Sequence, residues 1–262
     1  MGLLMDNPKI LFIVEGAVRE KKLYEKITNE MGISANMFAV CANIHMLYTE
    51  LKKEEFHLNI EDFLLTLEGV AEEDKALIKE QRPFTYIYLI FDLDLQHYDI
   101  SDHKNVERGL QDVREMLSKF DNETDPTIGK MYINYPMVES YRDCEKFFDE
   151  NYINRTVELE KIVNYKKLVG ERGLKINLSK YTLESLIELT KQNIYKANYI
   201  VNDKFNAISY DEYLNKLTQE KIFEAEENKI LKDKIISVLH SGFFFMADYW
   251  GNKEKFYDKN LT

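Results

Sequence analysis

The chain has 262 residues, 35 basic against 46 acidic, with 45% hydrophobic and 13% aromatic content. This supplies a large core and excludes a disordered protein. A net charge of −11 argues against a general, high-affinity DNA coat, because phosphates demand Lys and Arg.

Ten glycines and four prolines are too few for a turn-rich all-β protein. The two cysteines, Cys41 and Cys144, are far apart, which rules out a disulfide scaffold and a paired-cysteine zinc site. No signal-peptide pattern opens the sequence and no apolar run approaches a bilayer span. A cytoplasmic protein with no membrane segment is expected.

Ile10 to Val14 is an unbroken apolar run ending at Glu15 and Gly16, the pattern of a buried parallel strand. From Arg19, Leu23, Tyr24, Ile27 and Met31 recur at helical spacing, and Gly32 closes that helix. A second strand is predicted over Asn36 to Ala42. The stretch from Ile44 to Arg82 reads as helical. Its residues 50–80 hold ten acidic and four basic side chains, a net of −6.

Tyr86 to Phe91 is the strongest strand pattern and runs directly into Asp92, Leu93 and Asp94. A helix is predicted over Val106 to Phe120 and a strand over Lys130 to Tyr135. Pro136 ends that strand. Met137 to Phe148 again has a helical pattern. Alternating strands and helices indicate an α/β fold with a mostly parallel sheet flanked by helices.

Beyond about residue 155 strand signals fade. Thr182 to Tyr195, Tyr210 to Leu217 and Ile222 to His240 read as helices. The predicted organisation is therefore a catalytic α/β domain over 1–155, with a helical insertion at 44–82, and a helical extension over 156–262. Residues 161–204 hold nine basic and four acidic side chains, a net of +5, so the remainder totals −16.

Functional groups in open α/β sheets collect beyond the carboxyl ends of strands. Two predicted strands end there in carboxylates, Glu15 on one and Asp92 with Asp94 on the other. Asp92 and Asp94 are two apart, so both point the same way from an extended strand end. Like charges held close repel and raise each other's pKa. A hard divalent cation removes that conflict, because Mg²⁺ takes one or two carboxylates plus waters and substrate phosphate. A Mg²⁺ or Mn²⁺ site on Glu15, Asp92 and Asp94 is expected, serving phosphate chemistry. The bland alternative is that each carboxylate only caps a following turn.

These residues carry a resemblance. Ile10 to Gly16, followed some seventy residues later by Leu89 to Asp94, resembles the TOPRIM signature of a Glu closing one strand and an Asp-x-Asp closing another. Val14 to Tyr24 and Asn134 to Tyr141 are similar to RloB-like defence nucleases and to the TOPRIM effector of the PARIS anti-phage system. The resemblance spans roughly residues 8–150. It implies a TOPRIM-like fold and a metal-dependent endonuclease cleaving DNA or RNA, such as tRNA, as the toxic effector of an anti-phage system. It also implies a separate ATPase partner and a homodimer.

Carried onto this sequence, Asp92 and Asp94 would bind the metal, and Glu15 would be a general acid/base or complete the metal shell. Glu139, in the element Pro136 to Glu139, would be an auxiliary catalytic carboxylate. Related nucleases often place a second acid four residues after the first Glu. Here position 19 is Arg and Glu20 is five after, so Glu20 reads equally as an exposed first-turn carboxylate.

Substrate-binding candidates are Arg142 and Lys146, one helical turn apart on the predicted helix. Lys175 and Lys180 join them, in the basic segment interleaved with Tyr165, Tyr181, Tyr195 and Tyr199. Lysines on phosphate with tyrosines stacking on bases would make a nucleic-acid surface. A solvated helical face with core tyrosines is the equal alternative. His97 and His103, with Asp99 and Asp102, read as a polar loop before a metal site. The run Gly242 to Met246, with Tyr249 and Trp250, reads as core, or else as a dimer or partner interface.

No GxxxxGK[ST], GxSxG, HExxH or paired CxxC occurs, so P-loop ATP hydrolysis and the commonest hydrolase and zinc signatures are excluded. A haloacid-dehalogenase phosphatase also begins with Asp-x-Asp after a strand. It prefers Thr or Val where this chain has Gln96, and it leaves Glu15 without a role. A non-catalytic scaffold is the third reading.

Overall fold

The computed structural model describes residues 8–56, 59–68, 70–125, 127–251 and 256–262. Strand β1 (Ile10–Val14) is buried along its whole length, as its apolar run requires. Helix α1 (Arg19–Met31) follows and stops at Gly32, whose φ of 68° carries the chain into the left-handed region that glycine adopts without steric cost. Strand β2 (Asn36–Ala39) is shorter than its sequence pattern.

The acidic stretch is not one helix but α2 (Ile44–Lys53), α3 (Ile60–Thr66) and α4 (Glu72–Gln81). Asn43 and Asn59 start the first two, each side chain accepting backbone N–H groups of the opening turn. Such local caps compete with helix continuation. Strand β3 (Tyr86–Asp92) leads to α5 (His103–Leu117), capped by Asp102. A short β4 (Asp121–Asn122) and the long β5 (Gly129–Tyr135) follow.

The predicted helix over Met137 to Phe148 is absent; only a 3-10 turn, Val138–Arg142, forms. Two acidic side chains at its end, Asp143 and Asp149, bind backbone and distant groups instead of facing solvent. Asp143 is buried, accepting from Tyr165 Oη at 2.9 Å and Arg172 Nε at 2.7 Å. Asp149 accepts from the N–H groups of Glu145 and Asn151. Arg142 and Lys146 therefore do not share a helix face.

The C-terminal half also differs from expectation. Strand β6 (Thr156–Glu158) precedes α6 (Tyr165–Arg172), α7 (Leu183–Asn202), α8 (Tyr210–Lys216) and α9 (Gln219–Asp233). Helix α9 ends before His240 because Lys234 turns left-handed, at φ 58°. Strands β7 (Ile235–Ser237) and β8 (Leu239–His240) follow, then α10 (Phe244–Trp250) and α11 (Phe256–Asn260).

The sheet order is β2-β1-β3-β5-β4. Strands β2, β1, β3 and β5 are parallel, whereas β4 and β8 pair with β5 antiparallel. The fold is thus α/β, a mostly parallel mixed sheet flanked by helices. The chain leaves β1 for β2 on one side and then crosses to β3 on the other, making a crevice between the carboxyl ends of β1 and β3.

Residues beyond 156 share the core of the first half. Strand β8 joins the central sheet, and Phe243 to Ala247 are fully buried. Phe245 meets the Phe12 ring at 4.9 Å, edge to face. The run Gly242 to Met246 is therefore interior, whereas Tyr249 and Trp250 are half-buried.

Candidate active site

The crevice is where the acidic residues meet. Glu15 directly follows β1, and Asp92 is the last residue of β3. The Asp92 N–H donates to Glu15 Oε2 at 3.3 Å. Asp92 itself is buried. Its Oδ1 accepts from Asn134 Nδ2 at 3.2 Å, and its carboxylate also takes the N–H of Val138. Asn134 lies opposite Asp92 in the β3–β5 register. Its own Oδ1 accepts from the Gly242 N–H at 3.2 Å, which fixes the amide orientation.

The turn after Asp92 is held as firmly. The Leu93 N–H donates to the Asn134 carbonyl, and the Leu93 carbonyl accepts from buried His45 Nε2 at 3.2 Å. Asp94 is left-handed, at φ 44°, a conformation that Asp tolerates better than most residues. It is half-buried, and its Oδ1 accepts from Gln96 at 2.8 Å.

Burial drives the electrostatics. Desolvation, then the charges of Asp92 and Asp94, push the Glu15 carboxyl from 4.5 up to about 9. Desolvation also raises Asp92 from 3.8 to about 7; Glu20 and Asp94 push the same way, against the Val138 and Asn134 hydrogen bonds. Glu20 therefore belongs to the cluster. Its side chain folds back so far that a Cβ on Gly16 would strike its carboxylate. The 3-10 turn that supplies Val138 also carries Glu139, which is fully buried. Arg19 pairs with Glu139 Oε1.

Behind the carboxylates lies a buried polar layer that the sequence did not signal. Tyr24 Oη is 3.0 Å from His240 Nε2, and His240 Nδ1 is 3.1 Å from Ser140 Oγ. Burial pushes His240 down to about 3, so it is neutral. A strand end of asparagine at Asn134 was the only visible hint of this layer.

Among the described residues no three His, Cys, Asp or Glu side chains lie close enough together to ligate one ion as they stand. The donor set still fits Mg²⁺ or Mn²⁺. Such ions need only one or two carboxylates, with water and phosphate completing the shell. Glu15 and Asp92 are two desolvated carboxylates that repel each other, and both oxygens of buried Glu139 lack a hydrogen-bond partner.

The basic candidates divide. Arg142 is half-buried in the turn carrying Glu139, whereas Lys146 is exposed. Lys180 is exposed in a turn against α1. Its neighbour Tyr181 meets Tyr141, two residues after Glu139, at 6.3 Å between rings. Lys175 instead donates to the Gly170 and Glu171 carbonyls at the end of α6. Tyr165 and Tyr181 are core residues, whereas Tyr195 and Tyr199 are half-buried. Lys196 is buried too, its Nζ donating to the carbonyls of Tyr152, Ile153 and Arg155.

The loop after Asp94 behaves as a polar loop. His97 bonds to Asn43, Asp99 accepts from Ser101, Asp102 caps α5, and His103 lies 3.4 Å from Glu107.

Compared with family models, curated proteins and solved structures, the chain has no match.

Proposed function

We propose that the protein is a divalent-metal-dependent phosphodiesterase acting on nucleic acid, a TOPRIM-type nuclease. The observation that carries this reading is the junction of Glu15 and Asp92 at the sheet's switch point, with Asp94, Glu20 and Glu139 beside it.

Glu15 and Asp92 would hold Mg²⁺ or Mn²⁺, with Asp94 at the rim. Bound there, the cation supplies charge stabilisation to a scissile phosphate and its leaving oxygen. Asn134, Val138 and His45 position the carboxylates and the Leu93 turn. Should Glu15 stay outside the metal shell, its carboxyl, raised to about 9 by burial and by Asp92 and Asp94, would instead keep a proton near the leaving oxygen at neutral pH. Arg142 and Lys180, on turns joined through Tyr141 and Tyr181, are suited to receive the phosphate backbone.

The scaffold reading leaves unexplained why like charges are buried together at strand ends, and the phosphatase reading gives Glu15 no role. A toxic effector role in anti-phage defence, a separate ATPase partner and a homodimer rest on the TOPRIM resemblance alone.

The test incubates purified protein with labelled RNA, tRNA and plasmid DNA in Mg²⁺, in Mn²⁺ and in EDTA. Cleavage by the wild type, lost in EDTA and in folded Glu15→Gln and Asp92→Asn variants, is expected. Undiminished cleavage by either variant sinks this assignment. Expression in cells, followed by total RNA and plasmid analysis, then identifies the substrate class.

A further inference from the structure

A groove of about 580 Å³ opens between α2 and α3, a size at which clefts hold ligands. It lies beside the acidic crevice. Val40 and Ala42 line it on either side of Cys41, whose N–H donates to the Glu15 carbonyl at 2.9 Å. His97 lines it too, 3.1 Å from Asn43, the cap of α2. The lining is apolar at depth and acidic at the edge. Leu47 and Phe63 are buried, whereas Met46 is 51% exposed. Glu50, Glu54 and Glu68 are exposed. Lys53, the one lysine on the lining among the described residues, is spent on Glu50 at 2.6 Å. Among the described residues Glu54 and Glu68 form no ion pair.

Met46, Glu50 and Lys53 recur at helical spacing, so one face of α2 is turned to the groove, while Tyr48 and Lys52 reach Glu115 of α5. An apolar depth under an acidic edge suits an occupant that is apolar on one side and basic on the other. The same edge repels phosphate, which argues against nucleic acid although the crevice is adjacent. Two helices as walls suit a third laid between them. We propose that the α2–α3 groove is the docking site of a basic amphipathic helix of a partner protein. An apolar side chain of that helix packs over Leu47 and Phe63, where flexible Met46 adapts to it. Its basic side chains meet Glu54 and Glu68. The site is distinct from the carboxylate cluster and requires no bound cation.

The test is fluorescence anisotropy of the full chain with a labelled synthetic peptide of lysine and leucine at helical spacing, in a salt series. The control peptide has the same residues in scrambled order and no apolar face. The wild type is expected to bind the amphipathic peptide about tenfold more tightly than the scrambled one, with affinity falling as salt rises. Glu54→Lys/Glu68→Lys should weaken it by about tenfold, and Met46→Ser should weaken it without touching the acidic edge. Glu220→Lys/Glu224→Lys on α9 makes the same change in net charge outside the groove and should leave binding intact. Circular-dichroism melts establish that each variant is folded. A folded wild type that does not bind the amphipathic peptide overturns the inference, as does equal binding of the scrambled one. So does an equal loss in the α9 variant, which would mean attraction to bulk charge. A labelled RNA that binds the wild type and loses affinity in Met46→Ser would give the groove to nucleic acid and also overturns it. Should the Glu54 and Glu68 reversal fail to fold, Met46→Ser decides, unchanged peptide affinity there sinking the assignment.

Discussion

The Asp92 N–H reaches across the crevice to Glu15 Oε2 at 3.3 Å, so the carboxylate that ends β1 is anchored on the backbone that ends β3. A carboxylate accepting from an adjacent strand can answer a change at that neighbour. Glu15→Gln and Asp92→Asn are expected to lower nucleic-acid cleavage by about 10²-fold or more, the scale of a positioned acid or base. The melting temperature should hold or rise, because each change removes a carboxyl whose ionisation is opposed by burial. A fall of several degrees in both variants would mean that the pair is structural.

The raised carboxyls give the protein a pH signature. Without a divalent cation, folded Glu15 and Asp92 hold protons that the unfolded chain releases near 4.5 and 3.8. Their contribution is full below those values and is lost as pH rises through about 7 for Asp92 and about 9 for Glu15. His240 works on the acid side. Held neutral down to about 3 against an ordinary 6.5, its contribution is present above 6.5 and lost as pH falls. In EDTA the melting temperature should fall on the order of 5 °C between pH 6.5 and 9. Mg²⁺ should remove most of that slope, and Glu15→Gln should reduce it. A flat profile in EDTA contradicts the burial of these charges.

The carboxylates were legible because chemistry and position coincide in the sequence. An unbroken apolar run ending in Glu15, and another ending in Asp92 and Asp94, state both the strand and its end. Their support was not legible, because it comes from far along the chain. Asn134 is anchored by Gly242, and Tyr24 meets His240, through a two-residue strand too short to have a period. The stretch after Met137 failed for a related reason. Its apolar spacing is helical, but Asp143 and Asp149 capture partners that no local pattern encodes. Glu20 was ambiguous for want of one fact, that its side chain folds over Gly16.

Asn134 is the support most open to test. Its amide joins Asp92 Oδ1 to the Gly242 N–H, and groups that orient ligands typically carry 10–100-fold in affinity or activity. Asn134→Ala is therefore expected to weaken Mn²⁺ binding by about 10–100-fold, measured by calorimetry. Asn134→Asp should be worse, adding a charge beside Asp92 and removing the donor. Unchanged affinity in Asn134→Ala would free Asp92 from this dependence.

Lys180 and Lys196 separate surface from structure within the basic segment. Lys180 is exposed beside the turn that carries Arg142. Lys180→Ala should weaken nucleic-acid binding with no change in stability and reduce the salt slope by about one. Lys196→Met instead leaves the Tyr152, Ile153 and Arg155 carbonyls without their donor, a loss of roughly 1–3 kcal/mol, with the salt slope unchanged. Filter binding across a salt series and urea melts would measure both. The reverse pattern would place the phosphate contacts on α7.

Gly242 allows the tightest test of the buried layer. A Cβ there would be driven onto Tyr24 Oη, with Ile90 at 3.0 Å and Asn134 Oδ1 at 3.2 Å. Overpacking of this kind costs about 1–3 kcal/mol, and here the displaced atoms hold Asp92. Gly242→Ala should lower both stability and Mn²⁺ affinity. Tyr24→Phe removes the struck hydroxyl, so the double variant Tyr24→Phe/Gly242→Ala should recover stability relative to Gly242→Ala alone. A strictly additive double mutant would mean that the two residues do not meet. Recovery of stability without recovery of affinity would show that Asn134, rather than Tyr24, transmits the strain to Asp92.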